Sequence, residues 1–199
     1  MNKYKYLLPL AAFLLTTIPA LGAEAVVNSS ISDNTASWTL ENDALRFAIR
    51  WTNEGGIELA EFHNKAANAD VTGNGNELFD YQGKYLSNNT GHPSRDFRYT
   101  ASDAGWKLVG SSDSPIAMSA SMPGVCVGHE LVVSVRKDDF QANLHFELYN
   151  DNGGLRYQAY IKNLSDCDNL LIERSDVLSL DIARTQHNLH YVVNSKWLS

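Results

Sequence analysis

Residues 140–163 read FQANLHFELYNDNGGLRYQAYIKN, and no other stretch restricts the fold as much. Phe140, Ala142, Leu144, Phe146 and Leu148 alternate with mostly polar residues, and Leu155, Tyr157, Ala159 and Ile161 repeat the pattern beyond the turn. A side-chain period of two belongs to a strand with one dry and one wet face. The Asn150–Gly154 pentapeptide between the runs is rich in Asn, Asp and Gly, which accept the positive φ angles of tight hairpin turns. The segment is therefore predicted as an antiparallel hairpin. The next run, LLIERSDVLSLDIA, is expected to continue it as a meander.

The same grammar appears earlier. In WTLENDALRFAIRW, residues 38–51, two alternating runs flank Glu41-Asn42-Asp43, and Leu45, Phe47, Ile49 and Trp51 share one face of the second. The turn TNEGG and the run IELAEFH follow. ELFDYQGKY, WKLVG and IAMSASM are shorter strand candidates, the last with Ile116, Met118, Ala120 and Met122 in alternation. Residues 64–76 and 87–95 read as loops. No segment of helical length shows a 3.6-residue stripe. The fold class expected is all-β, an antiparallel β-sandwich, since strands with one wet face pair their dry faces in two layers.

The N-terminus reads as a leader. A basic MNKYK precedes the apolar YLLPLAAFLLTTIPA, and small residues follow in LGAEA. That order matches a secretory signal peptide. The expected division is a signal at 1–25, cut after Ala25 or after Gly22, and one sandwich domain at 26–199. The protein is thus expected to be secreted or periplasmic, with no membrane span once the signal is removed. With 16 Lys and Arg against 23 Asp and Glu, the net charge is −7. An acidic chain without a basic cluster lacks the footprint of a nucleic-acid binder.

Two cysteines are present, Cys126 and Cys167. Export permits a disulfide between them, which would stabilise by about 4 kcal/mol in the chain-entropy model. Two separate buried thiols are the alternative. No zinc site is expected, because no C-x-x-C or Cys/His cluster accompanies them.

The run WTLENDALRFAIRWTNEGGIELAEFHN resembles the opening of the galactose-mutarotase-like super-sandwich, a domain that precedes the catalytic barrel in many glycoside hydrolases. NLHFELYNDNGGLRYQAYIKNLSDCDNLLIERSDVLSLDI is similar to the corresponding part of family 36-type alpha-galactosidases, in which a strand ends in an Asn, here Asn163. A final strand with Leu178, Ser179 and Leu180 and a closing HYVVNSKW ending in Trp197 complete the likeness, which covers residues 37–197. The resemblance implies a non-catalytic N-terminal module, a fragment of an exported glycoside hydrolase that packs on a catalytic barrel and shapes its carbohydrate cleft. Its implied partners are a galactoside or related glycan and the enzyme's own catalytic domain, with homo-oligomer contacts in addition. The mutarotase histidine and Glu motifs are not matched, and no catalytic residue is assigned. The alternative is a free-standing exported carbohydrate-binding or adhesin-like sandwich. A polysaccharide-lyase sandwich is a third reading.

Trp106 and Trp197 are the residues chosen for carbohydrate contact, because a flat apolar ring packs against a pyranose face. His187 and His190 are three apart and would point to opposite faces of a strand, which argues against a metal pair. Asp70, Thr72 and Asn74 resemble the start of a calcium loop, but Tyr81 stands where a bidentate acid is needed. No metal and no cofactor are assigned. Asp138-Asp139 and Glu173 with Asp176 read as surface acids. Asn28, Asn88 and Asn163 head N-x-S/T acceptor sequences.

Overall fold

The computed structural model describes residues 24–181, apart from 74, 88–92, 151–152 and 167. Among them are twelve strands and no helix. β1 (Val26–Ile31), β2 (Thr35–Glu41), β3 (Leu45–Thr52), β4 (Gly56–Asn64) and β5 (Ala69–Asp70) form a five-stranded antiparallel sheet in chain order. β6 (Asp80–Ser87) and β7 (Arg95–Thr100) form a hairpin that is extended by β12 (Asp168–Asp176). β8 (Lys107–Ser119), β9 (Met122–Lys137), β10 (Phe140–Tyr149) and β11 (Leu155–Asn163) make a four-stranded meander.

The predicted hairpin is β10–β11, with Leu144 opposite Ala159 and Phe146 opposite Tyr157. Its dry face carries the sandwich core. Phe146 meets Phe47 of β3 at 5.2 Å between ring centroids, which binds the meander to the five-stranded sheet. At the other end Phe140 lies 5.3–6.1 Å from the rings of Tyr81, Phe97, Tyr99 and Trp106. That cluster binds the meander to the three-stranded sheet. The meander is therefore one layer, and the other two sheets share the opposite layer. They join where Ile57 N–H donates to the Ala101 carbonyl at 2.8 Å. Gly56 makes this join: its φ is +70°, and a Cβ there would lie 2.4 Å from the Ala101 and Asp103 carbonyl oxygens.

The opening hairpin is β2–β3, and its turn is built by Asn42, which is buried. Asn42 Oδ1 accepts from the N–H groups of Ala44 and Leu45 at 2.9 and 2.8 Å, and its amide donates to the Tyr149 carbonyl at 2.7 Å. The local turn is thus locked to the end of β10 across the sandwich.

Three expectations change. The strand after β11 does not continue the meander: β12 crosses to pair with β6. Asn163 turns the chain out, with its Oδ1 accepting from Ser165 N–H and its amide donating to the Asp168 carbonyl. Leu178, Ser179 and Leu180 form no strand, only a single bridge between Ser179 and Glu77. WKLVG and IAMSASM are parts of one hairpin, in which Met118 and Met122 are exposed rather than inward. Ala25 stands just before β1. Ala25 is fully buried, and its N–H donates to Asn150 Oδ1 at 2.9 Å.

Candidate functional site

A cleft of about 560 Å³ follows the outer edge of β4. β3 pairs with one side of β4, but on the other side β5 pairs only with His63 and Asn64. Among the described residues, no strand lies beside residues 58–61 there. A bulge falls at this point, because Ala48 faces Glu61 and Ile49 faces Leu59, leaving Ala60 as the extra residue. Bulges bend a strand and re-aim its side chains. Here Glu58, Leu59, Glu61 and Phe62 all line the cleft. The far wall is Asp70, Thr72, Gly73, Gly75, Asn76, Glu77 and Ser102. That wall is held in place by backbone bonds from Gly73 N–H to the Asp181 carbonyl and between Glu77 and Ser179.

Among the described residues, no lysine or arginine lines this cleft, whereas four carboxylates do. Each carboxylate has a partner. Glu58 accepts from Arg50 Nε at 2.8 Å, Glu61 pairs with Arg46 at 3.1 Å, and Asp70 meets His63 at 2.8 Å. Glu77 accepts from the Ser102 N–H and hydroxyl. The Arg50–Glu58 and Arg46–Glu61 pairs are exposed, so they hold their geometry weakly. The floor is Leu59 and Phe62, the latter edge-on to Phe47 at 5.6 Å. An apolar floor under a rim of acceptors suits a neutral polyol, whose C–H face packs on the ring while its hydroxyls donate to the carboxylates. The same rim repels polyanions.

A second constellation lies at the opposite end of β10. A Glu24 carboxylate oxygen, Cys126 Sγ and a His129 ring nitrogen all lie within 4.8 Å of one another. The Cys126 thiol donates to the Gly128 carbonyl at 3.1 Å. His129 Nδ1 is buried with no hydrogen-bond partner among the described residues.

The residues chosen from sequence fare differently. Trp106 is fully buried, not a carbohydrate contact. Its ring packs against Phe79, Tyr99 and Phe140, its N–H donates to the Thr100 carbonyl at 2.8 Å, and no face is left for a sugar. Trp197 lies outside the described residues, as do His187, His190, Asn74 and Asn88. The expected disulfide is not formed at Cys126, which is a free thiol. Cys167 lies outside the described residues. Cys126 lies just beyond Gly128, which faces Tyr149 at the end of β10. The acid pairs are structural: Asp138 accepts from the Tyr99 hydroxyl, Arg136 pairs with Asp139, Lys84 with Glu173 and Arg174 with Asp176.

Sequence reasoning singled out Asp70 and Thr72 of the cleft wall, but only as the start of a calcium-like loop, and missed the cysteine–histidine cluster. The cleft needs the β4 bulge, which leaves no trace in the alternation of a strand that reads IELAEFH. The cysteine cluster did leave a signal, the C-x-x-H of Cys126-Val127-Gly128-His129. No protein-family model matches the chain, and neither a curated protein nor a solved structure matches it significantly.

Proposed function

We propose that this chain is the non-catalytic β-sandwich module of an exported glycoside hydrolase of the alpha-galactosidase-like type, and that it contributes a carbohydrate-holding wall beside a catalytic domain. The observation that carries the reading is the β4 cleft, whose size suits one or two sugar rings. Its carboxylate rim and Phe62 floor offer what a neutral galactoside needs. Its carboxylates are all engaged in bonds, which fits holding rather than acid–base hydrolysis. The acidic rim favours neutral sugars over uronates, which ranks the lyase reading lower.

The β8–β9 hairpin supports packing on a further domain. It runs past the end of β10 and presents Met118, Met122 and Val125, all exposed, near its tip. Unpaired apolar side chains on a projecting arm are suited to burial against a partner.

The resemblance of residues 37–197 to the mutarotase-like sandwich gives the reading its enzyme class, and the leader-like start gives it export. Because the cleft is built within one chain, a free-standing carbohydrate-binding sandwich is the second reading. A nitrophenyl-glycoside assay on the purified chain tests the shared claim. No turnover is expected, and clear turnover that survives further purification contradicts a non-catalytic module.

A further inference from the structure

On a regular strand, residues three apart point to opposite faces. Cys126 and His129 are three apart on β9 and yet converge. The cause is a bulge: Ile116 faces Gly128 and Ala117 faces Cys126, so Val127 is an extra residue on β9. One extra residue turns a separation of three into an effective two and places both side chains on one face. Asn150 then completes the arrangement. Its N–H donates to the Val127 carbonyl, its amide to the Cys126 carbonyl at 3.2 Å, and its Oδ1 accepts from Ala25 N–H at 2.9 Å. A single side chain thus fixes the bulge and brings Glu24 to it. Gly128 is required here, since a Cβ would lie 2.4 Å from the Leu148 carbonyl oxygen.

We propose that Glu24, Cys126 and His129 form a zinc site that staples the N-terminal segment to β9. The donor set of thiolate, imidazole and carboxylate suits Zn²⁺ and suits neither Ca²⁺ nor Mg²⁺. Tetrahedral zinc with ordinary Zn–S and Zn–N lengths wants donors about 3.5 Å apart, and the three donors already lie within 4.8 Å of one another, so small side-chain rotations bring them to the metal. The Nδ1 of His129, which is buried with no hydrogen-bond partner among the described residues, is the second observation, because a buried ring nitrogen left unpaired calls for a ligand. On binding, the Cys126 thiol loses its proton to solvent and its bond to the Gly128 carbonyl. One thiolate and one carboxylate then balance the dication, and water takes the fourth position. The site requires that Glu24 survive export, so the signal must be cut before it, as cutting after Gly22 allows. This inference stands apart from the carbohydrate reading.

The test uses the full chain exported and processed by its host, stripped with a chelator and titrated with Zn²⁺ and with Co²⁺. One equivalent of each is expected, with a thiolate-to-cobalt charge-transfer band that Cys126→Ser abolishes. The unmutated chain supplies a check independent of variant folding: Zn²⁺ should protect the Cys126 peptide, mapped by mass spectrometry, from alkylation. Absent zinc uptake, an unprotected Cys126, or a mature N-terminus beginning at Val26 would overturn the proposal.

Discussion

Phe140 shows how much of the molecule one side chain organises. Four aromatic rings surround it, contributed by β6, β7 and the segment before β8. Truncation to alanine removes the contact that joins the meander to the three-stranded sheet. Phe140→Ala is expected to cost about 3–5 kcal/mol in urea unfolding. A cost below about 1 kcal/mol would mean that the layers are held elsewhere. Tyr81 in the same cluster gives a pH signature. Burial pushes its hydroxyl up to about 12 from an ordinary 10.0. The unfolded chain therefore ionises first, so this stability is fully present below pH 10 and is lost as pH rises toward 12. Unfolding free energy should fall over that window, and Tyr81→Phe should make the fall shallower. An unchanged slope would remove Tyr81 from the account.

Elements divide by whether alternation alone sets them. β3 and β10 were legible because Leu45, Phe47, Ile49, Trp51 and Phe140 through Leu148 obey period two without interruption, and all of these inward residues are buried. β12 was assigned to the wrong neighbour: Asn163 turns the chain out after β11, a local bond pattern that strand alternation does not reveal, and β12 pairs with β6. β8 was split, since Ser111 to Pro115 carries no apolar face to read. Both constellations sit at bulges, and a bulge is a tertiary event: Val127 is held out of register by Asn150. Two element-scale outcomes follow from this. Asn42→Ala should destabilise by about 1–3 kcal/mol in denaturant titration, because it leaves the Ala44 and Leu45 N–H groups without their acceptor. Gly128→Ala must push β9 from β10 and should cost about 1–3 kcal/mol, together with faster amide exchange at the β9–β10 end. Wild-type exchange there would contradict the close approach.

At the scale of the whole molecule, one meander covers two side-by-side sheets, and both constellations lie at the margins. The cleft lies on the open side of β4, the cysteine–histidine cluster lies where the N-terminal segment meets β9, and the apolar arm extends beyond the meander. The strand grammar gave the sandwich, but not the margins, because edges are defined by which partners a strand lacks. The aromatic criterion chose Trp106, which the core claims completely, and missed Phe62, which floors the cleft. The proposed role of the cleft is to hold a neutral sugar. Calorimetric titration of the purified chain with galactosides tests it most directly, with Glu58→Gln and Asp70→Asn alongside. The account predicts saturable binding that each substitution weakens about tenfold, the loss of one hydrogen bond to a charged acceptor. Absence of binding to any neutral glycan, or binding that both substitutions leave untouched, would contradict it.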